Sequence, residues 1–164
     1  MYSVRVFVYG TLKTGEHNCE SFLSGRDDCK FIGSFKTTPN YRLFSTSQHM
    51  FPYLICTDSK GCTFEGVNVE GEVWEVSVDA LLNLDRLEGC PNHYGRMYIT
   101  LDNYTGPKVQ SYYTDWEAVN HMEYSGARWP FTESNRHRCT TSSDFWYNTM
   151  KKETADHIEL VESI

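Results

Sequence analysis

Residues 78–96 read VDALLNLDRLEGCPNHYGR, and the organisation of the chain turns on that stretch. With Asp79 as N-cap, a helix over residues 80–88 advancing about 100° per residue collects Leu81, Leu84 and Leu87 on one arc, with Leu82 to the side. Glu88 falls within that arc, between Leu81 and Leu84, while Asn83 and Arg86 point the other way. The pattern sets a carboxylate among leucines in the last helical turn. There, the helix's partial negative charge and the apolar surroundings both oppose ionisation. A carboxyl group held near neutrality suits proton transfer; the same glutamate at a frayed helix end would tip into water and do nothing. Gly89 is placed to be a left-handed C-cap, and Pro91 prevents further winding.

Working outward, VNVEGEVWEVSV (residues 67–78) alternates valine with polar residues and feeds the helix directly, so a strand delivers Glu88 to the end of a sheet. Gly71 inside it predicts a bulge or a close backbone approach. Near the N-terminus, Val4, Val6 and Val8 alternate with Arg5, Phe7 and Tyr9, the period of a strand, and the run stops at Gly10. A short helical candidate around Asn18 to Leu23 follows. A strand that breaks at glycine and heads toward a helix exposes consecutive backbone N–H groups able to hold a carboxylate or an oxyanion. An ordinary tight turn is the other reading. Further strand candidates are FIGSFK (31–36), YRLFS (41–45), YLICT (53–57), RMYITL (96–101) and VQSYYT (109–114). Several short strands with one or two inserted helices predict an α+β arrangement, a small mixed barrel or open sheet and not a doubly wound fold.

The 164 residues suit a single domain. Residues 115–164 read as a C-terminal extension, with aromatics lacking a clear period and a tail helix capped by Ser143. Such a tail could pack across the sheet or cover a pocket. A formal charge of −7 and a pI near 5.3 oppose a duplex nucleic-acid or anionic-membrane partner. The start lacks a charged segment followed by an apolar run, which predicts a cytoplasmic address. The six cysteines include no CxxC pair and read as reduced. The six histidines show no HxxxH spacing, so a metal site is not expected. GxSxG, Walker and GxGxxG patterns are missing, which removes those enzyme classes. What remains is one buried-looking carboxylate, an N–H-rich turn, and tyrosines at Tyr9, Tyr94, Tyr98, Tyr112 and Tyr113. Phenols at a pocket wall can orient a base, and they also serve as core filler.

Three separated segments, FVYGTLK (7–13), VEGEVWEV (69–76) and LDRLEGCPNHYGR (84–96), together resemble the γ-glutamylcyclotransferase superfamily in its AIG2-like, γ-glutamylamine cyclotransferase branch. The Tyr-Gly-Thr-Leu form is like that branch and unlike the Tyr-Gly-Ser-Asn form of the glutathione-degrading enzymes. The resemblance covers roughly residues 1–113. It implies a small mixed β-barrel with flanking helices, Glu88 as catalytic glutamate, and Tyr9, Gly10, Thr11 and Leu12 as the substrate-holding loop. Tyr94, Arg96 and Tyr113 are implied as further substrate-binding residues. The implied reaction is an amidine-lyase-type cyclising cleavage in which a γ-glutamyl amine closes to 5-oxoproline and expels an amine, with no cofactor. Two other classes fit the same residues: a protein that captures a small metabolite in this pocket without turning it over, and an interaction module that binds a protein partner through residues 115–164.

Overall fold

Alternation in the first strand sorts the core. In β1 (Ser3–Val8), Val6 and Val8 turn to one face and Phe7 to the other, and all three are buried. A strand covered on both faces needs apolar residues at successive positions, which is what FV at its end supplies. The computed structural model describes residues 2–10, 12–16, 18–46, 53–62, 65–92, 94–115 and 128–130; the tail helix predicted from Ser143 lies outside them.

β1 lies between two partners. β5 (Glu70–Ser77) runs antiparallel to it, with Val4 opposite Val76 and Val8 opposite Glu72. β7 (Val109–Tyr113) runs parallel to it, with Val6 opposite Gln110. β2 (Cys29–Lys36) pairs with the far side of β5, and β6 (Gly95–Ile99) with the far side of β7, both antiparallel. The order of this five-stranded sheet is β2-β5-β1-β7-β6. In the smaller sheet, β3 (Tyr41–Thr46) lies between β4 (Tyr53–Cys56) and β8 (Arg128–Pro130). Part of the segment expected as an extension thus belongs to this second sheet.

The helix α1 (Val78–Glu88) follows β5 without a linker. It covers one face of the large sheet: Ala80, Leu81 and Leu84 join Val6, Val8, Leu12, Trp74 and Val76 in one apolar cluster. The opposite face, Phe7, Tyr9, Val73 and Val109, packs on Tyr41, Leu43 and Leu54 of the small sheet. Strand alternation in β4 lets it serve both clusters, with Tyr53 and Ile55 on the helix side and Leu54 on the other.

The fold is α+β with a mostly sheet core, but the expected barrel is not closed. The edge strands β2 and β6 meet at a single isolated bridge, Thr37 with Leu101, reinforced by Asp102 N–H to the Lys36 carbonyl at 2.8 Å. Beyond that contact, β6 ends in the turn at Asp102 and β2 leaves toward Pro39 and the second sheet, so no ladder joins the two edges.

Two helix details also differ from expectation. The N-cap is Ser77, not Asp79: its Oγ accepts the Ala80 N–H at 3.1 Å and donates to Asp28 Oδ2 at 2.6 Å. Ser77 ends the strand in extended geometry with its hydroxyl over the first turn, leaving Asp79 exposed within it. Leu87 is 37% exposed and does not join the core, because the helix packs through Ala80, Leu81 and Leu84. Gly71 answers to a close approach: an added Cβ would sit 2.4 Å from the Phe7 ring and 2.5 Å from the Val8 carbonyl oxygen. The bulge lies elsewhere, in β2 between Phe31 and Gly33. Among the described residues no helix is long and apolar enough to cross a membrane.

Candidate active site

Glu88 occupies the last turn of α1, and the chain beyond it is fixed by the cap. Gly89 takes the left-handed conformation (φ 64°, ψ 34°), which glycine adopts without a Cβ penalty. Its N–H reaches the Arg86 carbonyl at 3.2 Å, and Cys90 N–H reaches that of Asp85 at 2.9 Å. The chain then turns back so that Tyr94 N–H donates to the Glu88 carbonyl at 3.3 Å. The Glu88 carboxyl is partly buried, and that burial pushes its pKa up to about 7.

Tyr53 of β4 is fully buried and stacks on Tyr94 with ring centres 5.1 Å apart. Burial first, and then the charge of Glu88, push the Tyr53 hydroxyl up to about 12. Tyr112 of β7 is also shifted upward, by burial, by its hydrogen bond to Asp85, and in smaller part by Glu88. The Glu88 charge thus acts on phenols of both β4 and β7. Of the two neighbouring tyrosines of β7, Tyr112 lies on the side of the sheet that α1 covers. Tyr113 alternates to the other side of β7, where its ring covers Gly95 so closely that a Cβ there would lie 2.6 Å from Tyr113 Cε1.

The turn after β1 is held from three directions. Leu12, 4% exposed, plugs the cluster beneath α1, and so ties the turn to the helix that carries Glu88. Lys13 N–H closes onto the Gly10 carbonyl at 3.1 Å. Thr14 gives both its N–H (2.8 Å) and its hydroxyl (3.0 Å) to Glu72 Oε1, which also accepts the Trp74 indole N–H at 3.1 Å. Tyr9 does not offer its hydroxyl to solvent: it accepts from Leu54 N–H at 3.2 Å and donates to the Tyr112 carbonyl at 2.8 Å. It clamps β1, β4 and β7 together at the end of the sheet to which α1 runs. Thr11 lies outside the described residues.

Arg96 is committed to the protein itself. Its Nε and Nη2 form a two-point ion pair with Asp85 at 3.0 and 3.2 Å, and Nη1 donates to Gln110 at 2.6 Å. Tyr112 hydroxyl completes the group by donating to Asp85 Oδ1 at 2.6 Å. Asp85 and Gln110 are not singled out by sequence reasoning. Asp85 sits three residues before Glu88 on the same helical face, a spacing that is the one signal pointing to it. Glu16 is a second unexpected carboxyl: it is 5% exposed, and neither oxygen accepts a hydrogen bond from a described residue. Burial pushes it up to about 7 against the opposing pull of Lys13, with Glu72 adding a smaller push. Beside these groups a cleft of about 550 Å³ opens between Lys13, Phe35, Gly71, Glu72 and Asn103, and Glu88 is not among its walls.

Taken together, the arrangement holds a partly buried carboxyl, its pKa raised by burial to about 7, at the end of a helix whose apolar face packs on Leu12 of a braced turn. The sequence model described as Gamma-glutamyl cyclotransferase, AIG2-like matches residues 6–131. The chain is similar to the gamma-glutamylaminecyclotransferase of Bos taurus, with 37% identity over 112 residues, 66% of this chain and 64% of that one. It is also similar to gamma-glutamylaminecyclotransferase C of Danio rerio, with 34% identity over 103 residues, 62% of this chain and 64% of that one. In both, the match spans less than two thirds of the relative's length. Among solved structures, the crystal structure of an AIG2-like protein from Mus musculus superposes with a TM-score of 0.56 at 27% identity, covering 70% of this chain and 78% of that one.

Proposed function

The chain belongs to the AIG2-like gamma-glutamyl cyclotransferase family, and from that premise we propose that it is an enzyme releasing 5-oxoproline and a free amine from a γ-glutamyl amine. The observation that carries the reading is Glu88, a carboxyl that burial holds at about 7. It lies at the end of the helix whose apolar face packs on Leu12 of the first turn.

In this reaction the α-amine of the γ-glutamyl group attacks its own γ-carbonyl. Ring closure supplies proximity. The amine, however, is largely protonated at neutral pH and must lose a proton to become a nucleophile. Glu88 takes that proton and, once protonated, returns it to the departing amine as the C–N bond breaks, after which the freed carboxylate takes the extra proton from the ring nitrogen to leave the neutral lactam; acid–base help of this kind is typically worth about 10²- to 10⁴-fold. Backbone N–H groups of the turn from Gly10 to Leu12 hold the substrate carboxylate or the developing oxyanion, with Tyr9 and Tyr94 shaping the wall. Arg96 and Tyr113 contribute by supporting this wall: the contacts of Arg96 run to Asp85 and Gln110, and the Tyr113 ring to Gly95.

The test is a panel of γ-glutamylamines, γ-glutamyl-ε-lysine and γ-glutamyl peptides, assayed for 5-oxoproline, with thermal shift recorded in parallel. Turnover that disappears in Glu88→Gln supports the proposal. A stabilising shift without product on any substrate overturns it in favour of capture.

A further inference from the structure

Thr114 brings to the end of β7 a buried hydroxyl that the fold does not use. It follows directly on the last residue of the strand and is 4% exposed, yet its Oγ1 has no hydrogen-bond partner among the described residues. Burying a hydroxyl without a partner costs stability. Other buried hydroxyls avoid that cost: Ser111 donates to the Phe7 carbonyl at 2.9 Å, and Thr37 accepts the Val69 N–H at 2.9 Å.

The backbone fixes where Thr114 stands. Its N–H donates to the Leu54 carbonyl at 3.0 Å, while the Tyr9 hydroxyl links Leu54 N–H to the Tyr112 carbonyl. The end of β7 is therefore bound to β4 on both sides of Tyr113. β1 and β7 run parallel with Phe7 opposite Ser111. Carried three residues further along each chain, that register sets Thr114 level with Gly10, where the turn that holds the substrate begins. Alternation along β7 turns Thr114 to the same side as Tyr112, the side on which Tyr53, Tyr94, Leu12 and the apolar face of α1 meet.

We propose that Thr114 is a substrate-binding residue whose hydroxyl donates to the α-carboxylate of the γ-glutamyl group, alongside the backbone N–H groups of the turn from Gly10 to Leu12. The inference rests on the reading of the chain as a γ-glutamyl cyclotransferase and adds a side-chain donor to that site. The α-carboxylate is the anionic group of the γ-glutamyl moiety and keeps its charge from substrate to product. A donor on it therefore acts on the bound substrate and the transition state alike, and appears in KM more than in kcat. A hydroxyl without a partner in the free protein is also suited to an anionic acceptor, since hydrogen bonds to charged groups are the strong ones.

Thr114→Val replaces the hydroxyl with a methyl of similar size, and Thr114→Ser keeps the hydroxyl. Turnover of a γ-glutamylamine is measured for the parent and both variants, together with calorimetric binding of 5-oxoproline and the Tm of the free protein. In Thr114→Val, KM and the 5-oxoproline Kd are expected to rise about ten-fold or more, with kcat within about two-fold of the parent and no fall in Tm. Thr114→Ser is expected to bind nearly as the parent does. A hydroxyl serving only the fold gives the reverse, a lower Tm with unchanged affinity, and that result overturns the inference. A lower kcat at unchanged KM overturns it too, because the hydroxyl would then meet the developing oxyanion. Should Thr114→Val fail to fold, Thr114→Ala takes its place with the same expectations for KM and Kd. If the parent turns over and Thr114→Val matches its KM, Thr114 is removed and the reaction stands. If the parent binds 5-oxoproline without turnover and Thr114→Val weakens that binding, the reaction is removed and the carboxylate contact stands. A parent that neither binds nor turns over removes both.

Discussion

Replacing Glu88 by glutamine should abolish turnover and at the same time make the protein more stable, by an amount that depends on pH. Glutamine occupies nearly the same volume but cannot ionise, so the variant escapes the penalty of placing a carboxylate where water is largely excluded. Burial carries the Glu88 pKa from 4.5 to about 7. At 1.36 kcal/mol per pKa unit this corresponds to about 3 kcal/mol at full ionisation, an upper value because water reaches part of the side chain. The sign follows from the direction of the shift. Below pH 4.5 the group is protonated in both folded and unfolded chains, and the two proteins should be about equally stable. Between 4.5 and about 7 the unfolded chain ionises while the folded one resists, so the parent loses stability with rising pH relative to the variant. Above that window the difference reaches its plateau. For a chain of this size each kcal/mol moves the Tm by about 2–4 °C, so the variant should melt up to roughly 10 °C higher at about pH 8 and at nearly the parent temperature at about pH 4. Urea unfolding of both proteins across that range measures it; Glu16 is present in both and cancels. Parallel stability curves would refute the reasoning, since they would mean that Glu88 has an ordinary pKa and no seat for proton transfer.

Removing the Tyr9 hydroxyl (Tyr9→Phe) strands Leu54 N–H and the Tyr112 carbonyl in a buried setting, and should cost about 2–3 kcal/mol of stability by urea unfolding. Gly71→Ala puts a methyl against the Phe7 ring and the Val8 carbonyl. Overpacking of this kind costs about 1–3 kcal/mol, and a Tm at the parent value would mean that the strands separate more easily than their packing indicates. Ser77→Ala deletes the hydroxyl that caps α1, with an expected loss of about 1 kcal/mol, checked by denaturant midpoint with Asp79→Ala as the comparison that should change little.

The local chemistry of the chain was legible because it is local. A glycine after Glu88, a valine repeat before the helix and breaks at Gly10 and Pro91 constrain backbone within a few residues, and the strands, the helix and the left-handed Gly89 appear where those signals stand. The position of Glu88 in the last turn, close to leucines, could also be read from helical periodicity alone. Partners could not. Whether Leu87 is inside depends on which face of α1 meets the sheet, and whether Tyr112 or Tyr113 lies on the side that α1 covers depends on the pairing register of β7, where one residue exchanges the two faces. The open edge between β2 and β6, the pairing of Arg96 with Asp85, and the use of Tyr9 as a clamp between β1, β4 and β7 arise from contacts between residues up to 103 apart in sequence. Sequence determines which groups are present and how each short segment bends. Only tertiary packing decides which donors each acceptor receives, because a buried polar group takes the partner that folding brings within reach.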